Sequence, residues 1–306
     1  MIKEYAIDPE LVAAWAKDRK DYKYFWESFE MDKGRFVTQL PKDWDRRAHK
    51  SLGRVEDQSQ GRLIEIINRL KEVQIKRTRT KDYPGKWHEN ALVENERFPF
   101  HAILVKENKG RHPKLHGNHT LGELNEDIWQ VETGKIINRD AKDMSDAVRS
   151  MLLLCKWVKF VDPYLCSCSS NYKASMKSFF EIIFSNRPVG ELERCEMHTS
   201  SLERHKCKPT RTIEEFYSEI LPSNGSVNIF QWQEKNPSDL HNRFILTDLG
   251  GVSFPNGLAT GNRNNIENIS LLPKKDWEEF KKIYDLNSKR LISATNSPWN
   301  VKGLNK

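Results

Sequence analysis

Leu240-His241-Asn242-Arg243-Phe244-Ile245-Leu246-Thr247-Asp248 carries the most informative local pattern in this chain. Phe244, Ile245 and Leu246 give it strand character, and period-two alternation then projects His241 and Arg243 from one face. An imidazole beside a fixed guanidinium suits a phosphate ester. The ring can attack phosphorus or protonate a leaving oxygen, while the cation holds the non-bridging oxygens. Asp248 ends the strand, ahead of Leu249-Gly250-Gly251, which reads as a tight turn. Taken alone, His241 also fits a hydrogen-bonded core histidine and Asp248 a turn-forming aspartate, so the neighbouring sequence has to decide.

Upstream, Lys159 to Leu165 is a strand ending in Asp162-Pro163-Tyr164. A helix follows, with Tyr172, Met176, Phe179, Phe180 and Ile183 at helical spacing. Arg194 to Thr199 is a short strand, Thr212 to Leu221 a helix with Ile213, Phe216, Tyr217 and Ile220 on one face, and Val227 to Gln233 a strand. The His241 strand comes next, and Val252 to Phe254 returns after the turn.

His241-x-Arg243-x4-Asp248 resembles the His-x-Lys-x4-Asp signature of the phospholipase D superfamily, with Arg243 in the lysine position. Asp162-Pro163-Tyr164 looks like the strand end that opens many phospholipase-D-like halves, and the order of elements over roughly residues 146–290 is the one that superfamily would give. The family usually continues with Gly-Ser-x-Asn. Here Gly257 supplies the glycine, Leu258 replaces the serine, and Asn256 or Asn262 stands for the asparagine. The resemblance implies an α/β fold with a mixed sheet flanked by helices. It implies a catalytic set of His241, Arg243, Asp248 and Asn262, in which one histidine attacks phosphorus, a second protonates the leaving oxygen, and no metal or cofactor is required. Only one such motif is present, so a complete site needs two chains and a homodimer is expected. Degenerate relatives, including the phospholipase-D-like domain found after MIT domains, pair a His-x-Arg segment with membrane binding. A non-catalytic module that binds nucleic acid, anionic lipid or a protein is therefore the second expectation.

The chain has 306 residues, 37% hydrophobic and 30% charged, which suits a folded globular protein with room for two cores. A net charge of +7 favours polyanions, so a nuclease is expected over a lipase, with bacterial restriction or phage defence as the setting that fold-level analogy suggests. Five cysteines and an N-terminus without an apolar core point to a reduced, cytoplasmic setting, and no apolar run is long enough to span a membrane.

Two modules are expected, an α+β module over residues 1–140 that could carry a protein partner, and the phospholipase-D-like domain over 141–306. In the first, a helix is expected from Asp8 to about Phe29, others at Trp44 to Leu52 and Gln58 to Val73, strands at Phe98 to Val105 and Ile128 to Ile137, and an exposed loop from Lys106 to Asn125. Lys76-Arg77-Thr78-Arg79-Thr80-Lys81 alternates like a strand edge. Lys76, Arg77, Arg79 and Lys81 either track a phosphate backbone or protect a solvated edge. Cys195, His198, His205 and Cys207 are of zinc-binding types but irregularly spaced, and Cys195 and His198 would face opposite sides of a strand, so no metal is expected. Cys166 and Cys168 read as structural, and His112-x-Lys114 is opposed as a second motif by Pro113 and His119.

Overall fold

The computed structural model describes all residues except 55, 79–84, 118–125, 166–168, 202–211, 234–239, 263, 286, 289–290, 294–296 and 305–306. The chain divides into two compact units between Glu132 and Thr133. The break precedes residue 140 because the strand Gly134–Asn138 pairs into the second unit's sheet.

The N-terminal unit runs β1 (Lys3–Ile7), α1 (Pro9–Lys17), α2 (Arg19–Ser28), β2 (Arg35–Thr38), α3 (Trp44–Leu52), α4 (Asp57–Glu72), β3 (Gln74–Ile75), α5 (Trp87–Arg97), β4 (Ala102–Val105), β5 (Leu115–Gly117) and α6 (Glu126–Trp129). Its sheet has the order β3-β2-β1-β4-β5 and is parallel throughout. Helices therefore alternate with strands instead of segregating from them as an α+β module would. β4 reads Ala-Ile-Leu-Val and is buried at every position, as a strand covered on both faces should be. The single helix expected from Asp8 is two, because Asp18 turns extended and its carboxylate accepts the N–H groups of Lys20 and Asp21 at 2.7 and 2.9 Å. The expected strand at 128–137 is a short helix followed by a strand, and β5 lies within the stretch read as loop.

Arg77 overturns its place in the proposed phosphate-binding run. Its side chain is 1% exposed, donates to Glu4 at 2.5 and 2.9 Å, pairs with Glu94 at 3.4 Å and lies 3.9 Å over the Phe100 ring. A guanidinium spent on two buried carboxylates cannot reach a phosphate. Burial pushes the Glu4 carboxyl above its usual range even though Arg77 pulls it down. Lys76 is exposed, whereas Arg79 and Lys81 lie outside the described residues.

The second unit runs β6 (Gly134–Asn138), α7 (Ala141–Leu154), β7 (Trp157–Val161), α8 (Ser170–Ile183), β8 (Arg194–Ser200), α9 (Ile213–Ile220), β9 (Ser226–Gln233), β10 (Phe244–Thr247), β11 (Gly250–Ser253), β12 (Ile266–Leu271), α10 (Lys274–Ile283), β13 (Ile292–Ser293) and β14 (Trp299–Lys302). The sheet order is β13-β9-β8-β7-β10-β11-β12-β6, with β14 also on β9. β7, β8 and β9 are parallel and the other pairings antiparallel, a mixed sheet in an α/β fold. Thr212 caps α9 reciprocally with Glu215. On one sheet face Phe160 meets Phe179 and Phe180 of α8 at 5.6 and 5.9 Å. On the other face Phe244 meets Phe280 of α10 at 4.4 Å.

That second face also buries Lys159, Glu196 and His198. Trp232 donates to Nδ1 of His198 at 3.0 Å, so the ring's proton sits on Nε2 and is donated to Glu196 at 2.9 Å. Lys159 pairs with the same carboxylate at 3.0 Å. This disposes of zinc at His198, whose two nitrogens are both engaged while Cys195 sits on the opposite face of β8. Among the described residues no cluster of His, Cys, Asp and Glu could hold a metal, and no helix is long and apolar enough to cross a membrane. Cys166, Cys168, His205 and Cys207 lie outside the described residues.

Two outcomes follow from these buried charges. Arg77→Ala leaves two buried carboxylates without their cation and should cost about 3–5 kcal/mol in chemical denaturation. Burial holds His198 down to about 4, below the value of about 6.5 for an unfolded histidine. The unfolded chain therefore binds the extra proton between those values. The stability His198 contributes is present above about pH 6.5 and is lost as pH falls toward about 4. Denaturation midpoints should show wild type losing more stability than His198→Gln between about pH 7.5 and about pH 5.

Candidate functional site

The antiparallel register of β10 on β7 sets Phe244 opposite Val161 and Thr247 opposite Val158. Arg243, just before β10, is thereby brought to Asp162, just after β7. The Asp162 carboxylate is fully buried. It accepts the Tyr164 N–H at 2.9 Å, the Tyr172 hydroxyl at 2.9 Å and the Leu258 N–H at 2.8 Å. Burial raises its pKa, and these donors and the nearby Arg243 cation oppose the rise. Its role is to join the end of β7, helix α8 and the loop after β11.

Gly257 makes that junction possible. Its φ is +92°, and a Cβ there would lie 2.9 Å from an Asp162 carboxylate oxygen and 3.1 Å from Arg243 Cδ. The loop is gripped from outside by Arg139, whose Nη2 donates to the carbonyls of Asn256 and Ala259 at 2.9 and 2.7 Å. Buried Glu267 accepts the Asn256 N–H at 2.6 Å and lies 3.6 Å from Arg139 Nε. Sequence reasoning missed Arg139, Glu267 and the polar use of Tyr172. The available signal was an arginine directly after an expected strand and a tyrosine leading an otherwise apolar helix face.

On this base sit His241 and Arg243. Both precede β10 instead of lying within it, since the strand begins at Phe244. Arg243 is half-buried, donates from Nη1 to the Pro255 carbonyl at 2.8 Å and lies 4.5 Å over the Tyr164 ring. Its other nitrogens make no hydrogen bond among the described residues. His241 is exposed, with Nδ1 3.3 Å from the Tyr164 hydroxyl. The bond has two forms. If Tyr164 donates to Nδ1, Nε2 of the neutral ring carries a proton and is a hydrogen-bond donor. If Nδ1–H donates to the tyrosine oxygen, Nε2 presents a lone pair and is a nucleophile. In either form Nε2 has no hydrogen-bond partner among the described residues.

Two of the expected catalytic residues are not brought to this point. Asp248 occupies the Asp248–Leu249 turn at the far end of β10, five residues and roughly 16 Å from Arg243 at about 3.3 Å per residue. There it accepts the Lys156 N–H at 2.7 Å, and burial raises its pKa. The turn is Asp248–Leu249 itself, and Gly250 and Gly251 open β11. Asn262 is exposed, its carbonyl accepts the Asn265 N–H at 3.0 Å, and its side chain bonds neither His241 nor Arg243 among the described residues.

No protein-family profile matches the chain, and no curated protein does. Among solved structures, TrmBL2, an archaeal chromatin protein with a novel mode of DNA binding, aligns at 13% identity over 72% of this chain and 78% of that one, with a TM-score of 0.25. Similarity so loose carries no argument about fold or function.

Gly257→Ala should cost about 1–3 kcal/mol in thermal or chemical denaturation, because a left-handed φ and a blocked Cβ position coincide. An unchanged midpoint would mean that the loop does not close on Asp162 as described.

Proposed function

We propose that the second unit is a metal-independent phosphodiesterase acting on nucleic acid in the manner of the phospholipase D superfamily. The observation that carries this reading is the exposed His241 imidazole, anchored through Nδ1 beside a half-buried guanidinium with donors that no described residue engages. Nε2 of one His241 attacks phosphorus, and the phosphorus–oxygen bond to the leaving group breaks as that oxygen takes a proton from a second ring, which enters as imidazolium and leaves as neutral imidazole. That neutral ring then takes a proton from water as the water oxygen attacks phosphorus and the phosphorus–nitrogen bond breaks, which restores both rings. Arg243 balances the charge of the non-bridging oxygens throughout. The second ring is the partner subunit's His241 in a homodimer.

The position of Asp248 and the use of Leu258 to hold Asp162 favour a second reading, in which the site binds a nucleic-acid phosphate without cleaving it.

His241→Ala should lower cleavage of fluorescent DNA or RNA oligonucleotides by at least about 10²–10⁴ while leaving the melting temperature in place, and EDTA should leave wild-type cleavage intact. Arg243→Lys should retain activity, since the compact cation still neutralises phosphate. Wild type inert on DNA, RNA and generic phosphodiesters would leave the binding reading, and a strict monomer in sedimentation would remove the two-chain site.

A further inference from the structure

The carboxyl edge of the N-terminal unit's parallel sheet holds a cleft of about 1220 Å³ that the chemistry of the second unit does not use. Its position follows from strand order. From β1 the chain moves through α1 and α2 to β2 and then β3 on one side, whereas β4 and β5 lie on the other. β1 and β4 are neighbours, with Ile7 beside Leu104 and the Asp8 N–H on the Leu104 carbonyl at 2.9 Å. Their continuations part at this edge, and such a switch point in a parallel sheet is where a ligand-sized crevice opens.

The lining is cationic. Six Lys and Arg side chains face four Asp and Glu. Asp43 is neutralised by Arg46 and Arg47 at 2.6 and 3.0 Å, and Glu107 pairs with Lys109 at 2.9 Å. Lys50 and Lys86 are exposed and Lys106 half-exposed, and among the described residues no hydrogen bond or ion pair engages the ammonium groups of these three, although the Lys86 backbone N–H donates to Glu89 at 2.9 Å. Asp8 and Glu10 stand at the end of β1 beside Lys106. Clefts for small organic ligands commonly measure about 300–1,000 Å³, so this one is far larger than a lone phosphate requires. Unpaired ammonium groups suit phosphate oxygens, and carboxylates among them suit the hydroxyl or amino groups of the same molecule.

We infer that this cleft binds a nucleoside phosphate, its phosphates held by Lys50, Lys86 and Lys106 and its sugar or base hydrogen-bonded by Asp8 and Glu10. The site is separate from the His241 chemistry and stands if that chemistry fails.

Isothermal titration calorimetry of the full-length protein with ATP, and with inorganic pyrophosphate, tests this. His241→Ala serves as the host if wild type hydrolyses the probe. ATP should bind more tightly than pyrophosphate. Lys50→Glu with Lys106→Glu should weaken ATP by at least about tenfold at an unchanged melting temperature, and Lys177→Glu, at an exposed position of α8 in the other unit, should not. Lys50→Glu alone, on an exposed helix face, covers the case in which the double variant fails to fold. Absence of heat with ATP at roughly millimolar concentration would overturn the inference. So would an affinity indifferent to the lysine changes, pyrophosphate binding as tightly as ATP, or binding of a 5′-phosphorylated oligonucleotide without ATP.

Discussion

The buried carboxylate of Asp162 is the interaction on which the second unit's candidate site depends. An isolated carboxylate in a protein interior is costly unless donors replace its lost water. Here the donors come from the residue after β7, from helix α8 and from the loop after β11. Meeting that requirement draws the turn after β7 and the start of α8 together with a loop 96 residues further along the chain. Arg243 is carried into the same convergence by the register of β10, and His241 follows through its contact with Tyr164. The reactive ring is thus held at one remove from the buried acid, free to present its outer nitrogen.

Both units repeat this logic of buried charge without a visible catalytic role. Glu4 and Glu94 are satisfied by Arg77, and Glu196 by Lys159, Arg194 and His198. Such networks add little net stability over an apolar core of the same shape, yet removing one member is expensive.

The stretch from β7 to β11 was legible because its elements carry their own local signals, whereas β12, α10, β13 and β14 were not read. α8 shows a helical apolar stripe, α9 a capping box, and β7 and β9 apolar runs bounded by breakers. What was not legible depends on partners far along the chain. Arg77 looks like a free cation in a basic run, and only Glu4, 73 residues away, shows otherwise. Arg139 reads as a boundary residue until the loop 117 residues later closes under it. Asp248 follows the motif's spacing, but a four-residue strand intervenes and carries it to the opposite edge of the sheet. Spacing along an extended chain reports distance more reliably than convergence, so the His-x-Arg pair was readable and the rest of its surroundings was not.

The pairing of β6 with β12 bears on the order in which the molecule can be made. β6 opens the second unit, but its only neighbour among the described strands is β12, which begins at Ile266. Contacts this remote in sequence form late, since the intervening chain must first be closed into a loop. On a ribosome, Arg139 would wait through more than a hundred residues of synthesis before Glu267 could reach it. A nascent chain ending short of β12 therefore lacks the clamp over the Asp162 loop, and the candidate site would arise only on a nearly complete polypeptide.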